Sequence, residues 1–99
     1  MKLYALHDRK SEAFTSFHAE KTDAVASRAF VEAVLRPDSV LGKFPEDFEL
    51  VRLAELSEDS GLSQDAFFVT GVEGGLSFHV VLTAVQVLAA QPKPTNGGV

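Results

Sequence analysis

Ninety-nine residues, 45% apolar and 23% charged, describe one ordinary globular domain with a single core and no room for a second. The chain has no cysteine, which removes disulfides, thiolate chemistry and cysteine-ligated zinc; no apolar run reaches the roughly 18 residues that span a bilayer, so a cytosolic protein with no membrane partner is expected. The formal charge of −5 conceals an asymmetry: residues 1–43 hold seven Lys/Arg against six Asp/Glu and residues 44–99 two against eight, so an anion would have to meet the first half, and the overall acidity opposes strong sequence-blind nucleic-acid binding.

Residues 2–7, Lys-Leu-Tyr-Ala-Leu-His, form a short apolar stretch that stops at the polar cluster Asp8-Arg9-Lys10-Ser11, which predicts a strand and a turn. Residues 12–20 follow as a second strand. Regular alternation would put Ala13, Thr15, Phe17 and Ala19 on one face and Phe14, Ser16 and His18 on the other, so the two strands should form an antiparallel hairpin. Thr22 or Asp23 can cap a helix in which Ala26, Ala29, Phe30, Ala33 and Val34 recur at helical spacing, and Pro37 ends it by disfavouring helical geometry at Arg36.

Residues 37–47 carry two prolines and a glycine without a sustained period and predict a loop, pinned to the core by Val40, Leu41 and Phe44. Residues 48–56 alternate with both faces partly apolar, as a central strand would. Ser57 to Gly61 reads as a turn and residues 62–69 as the returning fourth strand. After three glycines, residues 76–90 are too long for a typical strand and predict a helix with Phe78, Val81, Leu82, Val85, Leu88 and Ala89 on one stripe. Val80, Ala84 and Val87 widen that stripe, which marks a helix buried on two sides or used as a subunit interface.

The expected fold is therefore α+β: a ββαββα order, a four-stranded antiparallel sheet and two helices packed on one face. Residues 1–90 make the single domain and residues 91–99 a flexible tail. A domain this short buries only about 60 to 65% of the surface its unfolded chain exposes, so self-association is a natural supplement and a homo-oligomer is expected.

Groups that could carry chemistry are sparse. His7 and His18 could face each other across the first hairpin, with Asp8 and Glu20 near, but their spacing matches no ligand motif and strand histidines are the simpler reading. The acid pairs Glu46-Asp47 and Glu58-Asp59 match no calcium loop. Gly71-Val72-Glu73-Gly74-Gly75 precedes a predicted helix but lacks the ending of a phosphate loop. No nucleophile with its base, metal set or cofactor loop emerges, so neither an enzyme nor a bound cofactor is expected. The richest pattern is cationic: Lys2, Arg9, Lys10, Lys21, Arg28, Arg36 and Lys43 lie near Tyr4, Phe14 and Phe17, and cations beside exposed aromatics suit single-stranded nucleic acid.

Several segments together, in order and spacing over the first sixty residues, resemble the small nonstructural protein of the gokushoviruses, single-stranded-DNA phages of the Microviridae. They are Met1-Lys2-Leu3-Tyr4, Asp8 to Ala13, the Phe17 aromatic, Ala26-Ser27-Arg28-Ala29-Phe30, Phe44-Pro45-Glu46-Asp47-Phe48-Glu49-Leu50 and the acidic turn Ser57 to Gly61. The resemblance implies a nonstructural protein made in the cytoplasm of the infected bacterium, acting in genome replication or in the switch to single-stranded-DNA synthesis and packaging. It implies single-stranded DNA or phage and host replication proteins as partners, and no catalytic residue. On that reading Arg9, Lys10, Lys21, Arg28 and Arg36 would contact phosphates and Tyr4 would stack on a base. The rival reading is an adaptor or assembly factor that self-associates through Phe78, Val81, Leu82, Val85 and Leu88.

Overall fold

A computed structural model describes residues 1–55 and 78–91 of the chain. Strands β1 (Lys2–Asp8) and β2 (Ala13–Glu20) form the expected antiparallel hairpin. Its turn is organised by Asp8, whose Oδ1 accepts the backbone N–H groups of Lys10 (3.0 Å) and Ser11 (3.3 Å). Helix α1 (Asp23–Leu35) follows, then the short helix α2 (Val40–Lys43), a 3-10 turn at Pro45–Asp47, strand β3 (Phe48–Glu55), strand β4 (His79–Thr83) and helix α3 (Ala84–Ala89). The four strands make one antiparallel sheet in the order β2-β1-β3-β4, so β1 and β3 are the inner strands.

The inner position explains why β1 and β3 are apolar on both faces. Tyr4 and Leu50 join Ala26, Phe30 and Val34 of α1 and Ala84 and Val87 of α3 in one core, which places both helices on the same face of the sheet, as expected. Leu3, Ala5, Val51 and Leu53 are buried on the opposite face, with Phe14 and Ala54 against them. Phe30 and Val34 are four apart on the helix stripe, and burying side chains of this size stabilises by roughly 1.5 to 3 kcal/mol each.

α1 begins where the Thr22 side chain accepts the Val25 N–H at 3.2 Å, and Arg36 leaves it in an extended conformation ahead of Pro37. The stretch 37–47 is more ordered than the expected loop. Asp38 takes a positive φ of 62°, Ser39 caps α2, and Pro45 starts the 3-10 turn from which Asp47 accepts the Arg9 N–H at 2.7 Å. Gly42 sits in α2 so close to α1 that a Cβ would lie 2.7 Å from the Val34 carbonyl oxygen. Gly→Ala inside a helix ordinarily stabilises by about 1 kcal/mol. Here Gly42→Ala should instead destabilise by about 1 to 3 kcal/mol, because backbone must move to admit the methyl; a urea melt showing stabilisation would contradict the packing.

The C-terminal segment corrects the expectation of one long helix over 76–90. Phe78 precedes strand β4, Val81 and Leu82 lie in that strand, and only Val85 and Leu88 of the expected stripe are helical. Two features of the sequence account for the split. His79-Val80-Val81-Leu82-Thr83 is dominated by β-branched residues that suit a pleated surface. Thr83 and Gln86 then form a capping box, Thr83 Oγ1 accepting from Gln86 N at 3.0 Å and Gln86 Oε1 from Thr83 N at 2.9 Å, which starts a new helix at Ala84. The expected fourth strand at 62–69, and the tail beyond Gln91, lie outside the described residues.

β2 also departs from simple alternation. The register passes from Tyr4 opposite His18 to Leu6 opposite Thr15, and Ser16 takes a positive φ of 54°. This bulge puts Phe14 against His7 on one face of the sheet and His18 against Tyr4 on the other, although both positions are even-numbered. His7 and His18 therefore do not face each other, and among the described residues no group of three or more His, Asp or Glu side chains is arranged to hold a metal ion.

Candidate interaction surface

Tyr4 was expected to stack on a base, but its ring is fully buried at 0% exposure, so the nucleic-acid role assigned to it is withdrawn. Its hydroxyl donates to Asp23 Oδ1 at 2.5 Å, and Arg52 Nη1 donates to Asp23 Oδ2 at 2.6 Å. Tyr4 thereby ties β1 to α1 while Arg52 ties β3 to the same carboxylate. The hydrogen bond from Tyr4 is the main influence holding the Asp23 carboxyl below the ordinary range, with Arg52 adding to it against a desolvation cost. Burial first and the Asp23 carboxylate second push the Tyr4 hydroxyl well above its ordinary value.

The five expected phosphate contacts do not gather on one surface. Arg9 and Lys10 sit at the turn end of the β1–β2 hairpin and Lys21 follows its open end, where Lys2 pairs with Glu20. At about 3.3 Å per residue, the length of β1 separates those two ends by roughly 20 Å. Arg28 is exposed on the outer side of α1, away from the stripe of Ala26, Phe30 and Val34, and Arg36 is exposed just beyond the helix. Arg9 is partly engaged: its Nη1 reaches the Glu46 carbonyl at 3.4 Å.

The expected interface residues divide in the same way. Phe78 packs against the rings of His7 (4.9 Å) and Phe14 (5.3 Å), and Val81 and Leu82 are half-buried against the helix-side core. Val85 and Leu88 stay 45% and 39% exposed on α3, and Val80 is 40% exposed on β4. No Asp, Glu, Lys or Arg occurs between Phe78 and Gln91, so Val85 and Leu88 of α3 are exposed on an uncharged segment, while Val80, opposite Val51, lies on the other face of the sheet.

Two arrangements were not anticipated from sequence. His7 Nδ1 donates to Glu49 Oε2 at 2.8 Å, with the two side chains only 13% and 9% exposed and the imidazole stacked on Phe14 at 4.6 Å. With Phe78 this clasp takes one residue from β1, β2 and β3 and one from the entry to β4. The second is a cleft of about 420 Å³ between the hairpin turn and α2, lined by Asp8, Lys10, Ser11, Val40, Phe44, Asp47 and Phe48. Phe44 and Val40, expected to pin the loop to the core, are instead 57% and 54% exposed at its mouth. Asp8 in its lining is pushed up by desolvation, but hydrogen bonds from Ser11 and Lys10 outweigh this and hold its carboxyl below the usual range. No helix among the described residues is long and apolar enough to cross a membrane.

A single four-stranded sheet with helices on one face, carrying exposed apolar side chains, defines a small α+β domain whose described residues offer surfaces for contact. The chain matches the Phage ORF5 protein family over residues 1–66 and belongs to that family; it is a phage protein. No curated protein and no solved structure matches it. The matched region contains the hairpin, α1, α2 and β3, and stops short of β4 and α3.

Proposed function

We propose that this ORF5-family protein is a non-enzymatic phage accessory protein that works by protein contact and self-associates through its uncharged C-terminal surface. The observation that carries this reading is the exposure of Val85 and Leu88, three apart on α3, on a segment without acidic or basic side chains. A chain of net charge −5 meets a second copy most easily where no like charges oppose. The resemblance of its first sixty residues to the gokushovirus nonstructural protein supports placing its action in genome replication or the switch to single-stranded-DNA synthesis and packaging, in the cytoplasm of the infected bacterium.

Light scattering on the purified protein at tens of micromolar should give a dimer or larger species, and Val85→Lys with Leu88→Lys should return it to monomer without loss of folding. A monomeric wild-type chain at that concentration would refute self-association.

A second reading, direct contact with single-stranded DNA, is supported by the exposed Arg9 and Lys10 at the hairpin tip, Lys10 lining the same cleft as Phe44. It predicts anisotropy changes with an oligo-dT at low salt that decline steeply as salt rises. Absence of binding at tens of micromolar protein would remove it.

A further inference from the structure

The cleft between the hairpin turn and α2 has a use that self-association leaves unassigned. It is held open by the backbone. The Arg9 N–H to Asp47 carbonyl bond fixes the hairpin turn to the 3-10 turn, and the Phe44 N–H to Val40 carbonyl bond closes α2 at Phe44. The floor and mouth are apolar, from Phe48, Val40 and Phe44, the last two being among the most exposed large apolar residues described.

The ionisable groups in the lining decide what chemistry fits. Asp8 and Asp47 contribute two negative charges and Lys10 one positive, so the lining residues sum to one negative charge. Arg9 is not among the lining residues, and its Nη1 donates to the Glu46 carbonyl. A phosphate backbone would meet two carboxylates here, whereas a peptide with an apolar side chain flanked by lysine or arginine would meet an apolar seat and opposite charge.

We infer that this cleft docks a short segment of a partner protein, an aromatic or aliphatic anchor residue with basic neighbours, the anchor packing on Phe44 and Val40 and the basic groups facing Asp8 and Asp47. The inference rests on the protein-contact reading above and gives that reading a partner other than a second copy. Phe44 is the anchor-binding residue; Asp47 sets the charge preference.

The chain contains no tryptophan, so a tryptophan-bearing peptide reports its own binding. The probe is acetyl-Lys-Leu-Trp-Lys-amide, titrated with the full chain and followed by the blue shift of its emission, with acetyl-Glu-Leu-Trp-Glu-amide as the charge-reversed control. The basic peptide should bind at least tenfold more tightly than the acidic one. Phe44→Ala should weaken it at least tenfold, and Asp47→Asn about threefold with a smaller salt dependence. Both positions are at the surface of the cleft, and the buried Tyr4 absorbance reports that each variant is folded.

Equal binding of the two peptides, indifference to Phe44→Ala, or no binding at millimolar protein would each overturn the cleft assignment. Displacement of the basic peptide by an oligo-dT would overturn it in favour of DNA. If the peptide does not bind while Val85→Lys and Leu88→Lys still dissociate the oligomer, the cleft inference fails and the self-association reading stands.

Discussion

In a spectrophotometric titration the single tyrosine of this chain should remain un-ionised well above pH 10, and tyrosinate should appear only as the protein unfolds. Tyr4 has a hydroxyl pushed up by burial and by the Asp23 carboxylate it donates to, relative to an ordinary value of 10.0. A group whose folded value is raised contributes stability that is whole below its unfolded value and is lost as pH climbs through the folded one, so the loss begins above about pH 10. Asp23 works in the opposite direction. Its folded value is lowered from 3.8, so its contribution is whole above about pH 4 and is lost as pH falls through the folded value.

Removing either group should therefore flatten one limb of the stability profile. Tyr4→Phe should cost about 1 to 2 kcal/mol at neutral pH and abolish the tyrosinate signal. Asp23→Ala should cost about 2 to 3 kcal/mol, most of it from stranding the buried Tyr4 hydroxyl. The Arg52 ion pair adds less, because the Asp23 side chain is 37% exposed and solvent screens it. For a domain of this size about 2 kcal/mol lowers the melting temperature by roughly 10 °C, which calorimetry resolves. A tyrosine that titrates reversibly near pH 10 in the folded chain would show that the Tyr4–Asp23 bond is not present in solution.

The second large effect concerns the His7–Glu49 pair. His7→Phe preserves an aromatic ring between Phe14 and Phe78 but leaves the Glu49 carboxylate, 9% exposed, without its partner, and should destabilise by about 2 to 4 kcal/mol. Glu49→Leu should cost less, because stranding a polar imidazole costs less than stranding a carboxylate stripped of its donor. Replacing both partners with apolar residues removes the polar groups together, so His7→Phe/Glu49→Leu should recover much of the loss from His7→Phe alone. The coupling from a double-mutant cycle by urea denaturation should be at least about 1 kcal/mol. Additive single effects would mean that the two side chains do not act as a pair.

Both clusters bring together residues far apart in the chain, Tyr4 with Asp23 and Arg52, and His7 with Glu49. Nothing in local spacing signals them, because they depend on β1 lying beside β3 across the intervening β2 and α1. The exposure of Phe44 was equally hidden, since an apolar residue in a proline-rich loop reads as an anchor until the neighbouring elements are placed. The split of the C-terminal segment was different. The Thr83-Ala84-Val85-Gln86 capping box and the β-branched run before it are local signals, outweighed in reading by the length of the apolar stretch.

The amino-acid sequence by itself determined the α+β class, the first hairpin, the limits of α1 and the inner character of β3. Each follows from periodicity, capping or proline geometry within a few residues. Tertiary structure alone decided which face each side chain of β2 and β4 meets, because a one-residue bulge at Ser16 and another at Val81 shift the period-two alternation. It also decided that Tyr4 is core and that the cations of the first half stand at opposite ends of the hairpin. Charge counted along a chain has no direction until the sheet gives it one, and here the sheet separates cations that lie close together in the sequence.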